Sequence, residues 1–407
     1  MKLGFFVGLF VFQSFFVSLA LVVLCAVSGN RLSIRRLCES GGWTLNGKET
    51  KSYNIMKKYL IIGLLALMGM GGAYAQDTLK VELPPTTREV AKRLYNEAFE
   101  MYSVKSYDVA LQLLNRSMEV DPTFSEPFLL KARIHYEKHD YPATEKTLQT
   151  YLTRGDTRAI DTVYFLFAKM YSETSKVPEE MEALNKCIEL NPAYGEAYYT
   201  RGIVYFEQGN YEASLADMTS AIDNGVGTSA VFNDRGSCQR MLNQYPEAVV
   251  DYTKAIEVEP KAMYYCNRAS IYAKMGKNED AINDYTQAIV SDGKYYKAYN
   301  GRGVVKANLE KYEDAINDFT LCLDVEPGYT SALSNRGIAY YKIREYNKAV
   351  ADFDAAILAE PHNGNTYMYR GNVKEMMRDK QGALEDWKKA SSLGIKVADR
   401  YFKDNCN

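Results

Sequence analysis

An arginine recurs through the second half of the chain at a nearly fixed interval. It stands at positions 201, 235, 268, 302, 336 and 370, spaced 34, 33, 34, 34 and 34 residues apart. The segments around it align without gaps, from "YYTRGIVYFEQGNYEASLADMTSAI" (198–222) to "YMYRGNVKEMMRDKQGALEDWKKAS" (367–391). A period of this length marks an array of helical units, each too small to bury its apolar face alone. Every unit holds two apolar patterns of helical period around a short polar break, so each reads as a helical hairpin.

Small residues recur where the two helices of a hairpin must approach closely. In the first helix they are Gly202, Gly236, Ala269, Gly303, Gly337 and Gly371; in the second, Ser214, Ala248, Ala281, Ala315, Ala349 and Ala383, then Ala221, Ala255, Ala288, Cys322, Ala356 and Ala390. Large side chains lie between these: Met218, Tyr252, Tyr285, Phe319, Phe353 and Trp387. Pro260, Pro327 and Pro361 follow the second helix, where proline helps to stop it. On these residues the chain resembles the tetratricopeptide repeat (TPR) family. Three more divergent units fit at 91–124, 125–158 and 161–194, and six regular ones fill 195–397. The resemblance implies an all-α fold: a right-handed α-solenoid of about nine helical hairpins, with the tail 398–407 as a capping helix, and 76–90 as a linker ahead of it.

The regular units place an aspartate 16 residues after each arginine. The pairs are Arg201/Asp217, Arg235/Asp251, Arg268/Asp284, Arg302/Asp318, Arg336/Asp352 and Arg370/Asp386. Residues nearly equidistant from the turn of an antiparallel hairpin face each other, so these read as structural ion pairs. Partly exposed, each would contribute roughly 0.2–1 kcal/mol. The alternative is a row of ligand-binding arginines. The first three units hold Glu97/Leu113, Lys131/Thr147 and Phe167/Ala183 instead, and Ala159 and Ile160 are inserted after the second, which suggests a mild boundary near 155–160.

The N-terminal 75 residues address a compartment. "MKKYLIIGLLALMGMGGAYAQ" (56–76) has two lysines, an apolar core and the small residues Ala73 and Ala75 before Gln76, the order of a secretory signal peptide with cleavage after Ala75. Upstream, Leu3 to Val27 is apolar and long enough to span a bilayer. Either translation starts at Met56 and residues 1–55 are an over-extended reading frame, or 3–27 is a membrane helix; the positive-inside rule keeps the Arg- and Lys-rich 29–58 cytoplasmic in that case. Both readings export residue 76 onward, to the periplasm or cell envelope, with a membrane contact only through a retained N-terminus.

Residues 76–407 keep 41 Lys/Arg against 49 Asp/Glu, a net charge of −8, which disfavours nucleic acid or anionic lipid as a partner. Their five cysteines are Cys187, Cys238, Cys266, Cys322 and Cys406, with no CxxC and no zinc-site spacing; Cys238 and Cys266, on neighbouring first helices, could approach. His135 and His139 share a helix face, but a zinc protease needs Glu directly after the first histidine and here Glu137 is two on. No P-loop, GxSxG or paired-carboxylate motif is present, so the chain reads as non-enzymatic and without a cofactor or metal.

The function class implied by the resemblance is protein–protein interaction, with a partner in a concave groove lined by first helices. Family geometry places Tyr199, Phe206, Asn233, Arg240, Asn267, Lys274, Asn300, Asn308, Asn335, Tyr341 and Tyr369 there. Asn can donate to and accept from a peptide backbone, and aromatic side chains serve as anchors. The chaperone-binding set of Lys then Asn in one repeat is missing. The leading reading is an adaptor or scaffold of the bacterial cell envelope; the alternative is an envelope carbohydrate- or small-ligand-binding protein using the aromatic-rich groove.

Overall fold

The computed structural model describes residues 86–405; the segments 1–55 and 56–75, and most of the expected linker 76–90, lie outside them. Within them are nineteen helices and no strand. Nine hairpins follow one another: α1 (Thr87–Ser103) with α2 (Tyr107–Val120), α3 (Glu126–Glu137) with α4 (Tyr141–Thr153), and α5 (Ile160–Glu173) with α6 (Val177–Leu190). The six regular ones are α7 (Gly195–Glu207) with α8 (Tyr211–Asp223), α9 (Ser229–Met241) with α10 (Tyr245–Val258), α11 (Ala262–Lys274) with α12 (Asn278–Ser291), α13 (Tyr296–Asn308) with α14 (Tyr312–Val325), α15 (Thr330–Lys342) with α16 (Tyr346–Ala359), and α17 (Gly364–Met376) with α18 (Lys380–Ser392). A final helix, α19 (Lys396–Asn405), closes the stack.

Two boundaries shift. The first helix begins at Thr87, inside the expected linker, because Thr86 and Glu89 form a capping box: Thr86 Oγ1 accepts from the Glu89 amide (3.2 Å) and Glu89 Oε2 from the Thr86 amide (2.6 Å). The last helix begins at Lys396, ahead of the expected tail, with Ala398 buried and the Tyr401 ring 5.5 Å from that of Trp387.

Each hairpin closes at the same place. The fifteenth residue of every repeat has left-handed backbone: Lys105, His139, Ser175, Gly209, Asn243, Gly276, Glu310, Arg344 and Arg378, with φ between 56° and 76°. This conformation ends a helix by turning the chain back, and glycine adopts it without strain. Second helices end where Asp121, Asn191, Glu259, Glu326 and Glu360 take extended ψ of 78–111°, each followed by a proline that excludes the α region from the residue before it.

The small residues seat the large ones. A Cβ on Gly303 would lie 2.6 Å from Phe319 Cε1, and one on Gly371 2.7 Å from Trp387 Cδ1, so the ring of the second helix lies directly on the backbone of the first. Ala248, Ala281, Ala315 and Ala349 are fully buried at the second crossing point. Cys187 and Cys322 fill the later small slot that Ala221, Ala255, Ala288, Ala356 and Ala390 hold in other repeats, and are fully buried. Cys238 and Cys266 are both free thiols: Cys238 Sγ meets Ser214 Oγ at 3.1 Å, whereas Cys266 packs with Tyr285 and Ala298.

Neighbouring hairpins pack second helix on next first helix. In addition α1, α3 and α5 touch in series, as do α11, α13, α15 and α17. First helices therefore crowd together along one side of the stack, which makes that side the inner, concave one.

Candidate partner-binding surface

The six arginines do not face the concave side as free cations. Each guanidinium grips its aspartate with two parallel hydrogen bonds, Nε to Oδ2 and Nη2 to Oδ1, at 2.6–3.0 Å. The third arm reaches back to the second helix of the preceding repeat. Nη1 of Arg268, Arg302 and Arg336 donates to the hydroxyls of Thr253 (2.8 Å), Thr286 (3.1 Å) and Thr320 (3.1 Å). Arg235 meets Thr219 at 3.5 Å, Arg201 meets Asn185 at 2.7 Å, and Arg370 meets Asp354 at 2.5 Å. The threonine hydroxyls spend their own protons on backbone carbonyls one turn earlier, which leaves a lone pair for the arginine.

The expectation of partly exposed pairs is corrected on the acidic side. Asp217, Asp251, Asp284, Asp318, Asp352 and Asp386 are all buried, their side chains no more than 9% exposed (Asp352) and as little as 0% (Asp318). The cause is the close crossing of the two helices and the arginine laid over it. In the first regular repeat a Cβ on Gly202 would lie 3.3 Å from Asp217 Cβ, and Arg201 covers the carboxylate with Nε 2.8 Å from Oδ2. Asp284 is covered in the same way by Arg268, at 2.7 Å, whose guanidinium also lies 5.8 Å from the Tyr272 ring. These are therefore buried ion pairs whose arginine alone reaches toward solvent, and the magnitude expected of an exposed pair does not apply to them.

One arginine thus ties three helices, and the bond to aspartate raises the pKa of Arg201, Arg268, Arg336 and Arg370 above the ordinary guanidinium value. Asp318 and Asp386 each also hold a lysine, Lys306 at 2.8 Å and Lys374 at 2.9 Å. The link between repeats even outlasts the pair, since Lys131, with Thr147 in place of the aspartate, still bonds Asn115 of the preceding repeat at 2.8 Å.

The eleven residues assigned to the groove divide. Asn267 donates to Asn233 (2.8 Å) and Asn335 to Asn300 (3.1 Å), so these amides bridge neighbouring first helices. Asn233 is buried and is not an open contact point, because the Asn267 helix covers it and its amide also donates to Asp234. Tyr199 donates to Asp234 at 2.8 Å, and Tyr369 lies flat on Phe353 with ring centroids 6.2 Å apart, so both are held by the array itself. Phe206 and Tyr341 pack against Tyr211 (5.3 Å) and Tyr346 (6.1 Å) within their own hairpins and stay half-buried, and Arg240 is half-buried beside Tyr252. Lys274 and Asn308 are exposed, Lys274 over the Tyr245 ring at 5.6 Å.

A cavity of about 380 Å³ opens among the divergent repeats. Its walls come from first helices: Tyr102 of α1; Arg133, Tyr136 and Glu137 of α3; Thr162, Phe165, Leu166 and Lys169 of α5. Tyr194 and Glu196, where the chain enters α7, close the far end. The volume falls within the range of ligand and side-chain pockets. Phe165 and Tyr194 pack with centroids 5.0 Å apart, and Lys169 Nζ sits 5.1 Å from the Tyr136 ring. Burial pushes the Tyr136 and Tyr194 phenols up to about 12, so both remain neutral donors. Sequence reasoning missed this group: Phe165 shares the repeat position of Tyr199, and Tyr102 and Tyr136 that of Tyr341, but position alone does not show whether neighbouring side chains fill the space or leave it open.

The turn just ahead of the insertion is clasped to the start of its own repeat. Arg158 bonds Asp156 (2.7 Å) and reaches Ser125 (3.1 Å) and Glu126 (3.4 Å), while Arg154 stacks on Phe128 at 4.6 Å. His135 and His139 have separate partners, Asp140 at 3.8 Å and Tyr141 at 2.9 Å, and among the described residues no cluster of His, Cys, Asp or Glu is arranged to hold a metal.

Comparison with known proteins agrees with this architecture. Models of the tetratricopeptide repeat match residues 161–194, 183–216 and 266–320. The chain is 32% identical over 123 residues to the human small glutamine-rich tetratricopeptide repeat-containing protein beta, covering 29% of this chain and 40% of that protein. It is 24% identical over 220 residues to Hsp70-Hsp90 organizing protein 2 of Arabidopsis thaliana, covering 53% and 37%, and 28% identical over 177 residues to the DnaJ homolog subfamily C member 7 homolog of Dictyostelium discoideum, covering 39% and 32%. The matches thus span about a third of the length of these relatives. A solved tetratricopeptide repeat protein from Parabacteroides merdae superposes with a TM-score of 0.50 at 19% identity, over 61% of this chain and 99% of that one. The chain carries tetratricopeptide repeats, and its fold is their solenoid.

Proposed function

We propose that this tetratricopeptide-repeat array is a non-enzymatic scaffold that holds a partner protein against its concave face, with repeats one to four as the main recognition site. The observation that carries the reading is the cavity between α1, α3, α5 and the start of α7. It joins aromatic walls to charged rims on a face built from four successive repeats. Along the regular repeats the exposed Lys274 and Asn308 and the half-buried Tyr341 continue the same face. A solenoid presents such an extended surface without rearrangement, because each repeat leans only on its neighbours.

The scaffold acts outside the cytoplasm, in the bacterial cell envelope. What supports this is the signal-peptide pattern of residues 56–75, and the acidic balance of the chain beyond it fits a protein partner better than nucleic acid. N-terminal sequencing of the exported protein checks the compartment: it should begin at Gln76, also after deletion of residues 1–55.

Position-specific photo-crosslinking tests the surface. A photoreactive phenylalanine analogue at Phe165 should give a discrete adduct with a protein partner in envelope extracts. The same analogue at Val290, 75% exposed on a second helix, should give none. An adduct at Val290 without one at Phe165 would overturn the assignment.

A further inference from the structure

The charged groups around the cavity are not equivalent. Glu137 is already engaged on both oxygens: Oε1 accepts from Tyr102 Oη at 2.5 Å and Oε2 from Tyr107 Oη at 2.7 Å. Arg133 and Lys169 are exposed, and among the described residues neither has a carboxylate within ion-pair distance. Both occupy the ninth place of their repeats, on α3 and α5, two first helices in direct contact. Lys169 is held above the Tyr136 ring, and Arg133 lies close enough to Tyr102 and Tyr95 to lower their phenol pKa values against the rise that burial causes. The cavity therefore carries two cations without an ion-pair partner among the described residues, next to the apolar surface of Phe165, Leu166 and Tyr194, while the carboxylates beside them, Glu137 and Glu173, are held by the phenols of Tyr102, Tyr107 and Tyr136. Glu196, exposed at the far end, is the carboxylate of the lining with no phenol attached.

We infer that the cavity selects an internal segment of the partner in which one large apolar side chain is flanked by acidic residues. The apolar side chain would stand against Phe165, Leu166 and Tyr194, and the flanking carboxylates would meet Arg133 and Lys169. This rests on the reading of the concave face as the recognition surface and adds the chemistry of what it recognises. A basic segment is less favoured: it would face two unpaired like charges, and Glu137, one of the two carboxylates of the lining, already holds two phenols. The pairs would form at a partly water-exposed rim, where they set selectivity and encounter rate more than total affinity.

Fluorescence anisotropy with short blocked peptides tests it. Three labelled probes are compared on the intact exported chain: one with an Asp-Trp-Asp core, one with Lys-Trp-Lys, and one with Asp-Gly-Asp. The first should bind about tenfold more tightly than either other, and the advantage should shrink as salt is raised. The double variant Arg133→Glu/Lys169→Glu changes two exposed side chains, so its melting temperature should match the parent while its preference shifts to the Lys-Trp-Lys probe. Equal binding of the acidic and basic Trp probes, both lost in Phe165→Ala, would overturn acidic selection and leave the concave site standing. An unchanged preference in the double variant, or no binding of the Asp-Trp-Asp probe to the parent, would also overturn it; crosslinking through position 165 then decides separately whether the surface itself is wrong.

Discussion

At the scale of single residues, the arginine row is a set of fasteners. A guanidinium presents donors in a fixed fork, and here two prongs hold a buried aspartate while a third reaches the preceding repeat. Stripping the arginine away strands a carboxylate in a dry place, which costs several kcal/mol, more than the loss of an exposed pair. The cost should depend on what else the aspartate holds. Among the described residues Asp251 accepts only from Arg235, whereas Asp318 also accepts from Lys306. Arg235→Ala should therefore lose roughly 3–5 kcal/mol by denaturant unfolding, and Arg302→Ala distinctly less. Equal losses would show that the lysine does not compensate. The 16-residue spacing made the pairing legible in the sequence, because hairpin geometry fixes which residues face each other. The burial of Asp217, Asp284 and their counterparts was not legible, since it comes from how closely the helices cross and how the arginine folds over the crossing. The recurring Thr219, Thr253, Thr286 and Thr320 were a visible column whose meaning needed the stacking of one repeat on the next.

At the scale of the helical hairpin, stability is set by the turn and by the crossing. The turn demands left-handed backbone at one position per repeat, yet only Gly209 and Gly276 meet that demand without strain. Glu310, with φ of 61° and an exposed side chain, is a place where sequence and backbone disagree. Glu310→Gly should stabilise the array by about 0.5–1 kcal/mol, the relief of strain outweighing the added freedom of the unfolded chain. A lower melting midpoint for that variant would mean that Glu310 is held by something other than its backbone. The crossing behaves in the opposite way. Gly303 has the Phe319 ring on its surface, so Gly303→Leu must push α13 and α14 apart and should lose about 1–3 kcal/mol or more. Hairpin existence, small positions and proline stops were legible because they repeat. The capped start at Thr87 was not, because Thr86 and Glu89 occur once and carry no period.

At the scale of the whole array, the regular and the divergent repeats do different work. In the regular ones the first helices are stitched to each other by Asn233–Asn267 and Asn300–Asn335, and several aromatic groups expected to wait for a partner are used in packing. In the divergent ones inward-facing positions of the first helices carry Phe165, Arg133, Lys169, Tyr102 and Tyr136, and these leave a cavity. A repeat pattern tells which positions point inward; it does not tell whether neighbouring side chains fill the space or leave it open, and this is why the site lay outside the sequence reading. Because each repeat contacts only its neighbours, changes on the concave rim should leave the core of the stack intact. The most direct measurement is retention of the crosslinked partner, once recovered, on immobilised variants of matched melting temperature. Arg133→Ala/Tyr136→Ala should lower retention at least about tenfold, the loss of anchor and charge together. Val250→Ser/Val290→Ser, on exposed second-helix positions, should leave it unchanged. Full retention by the cavity variant together with loss in the second-helix variant would contradict the account and move recognition to the outer face.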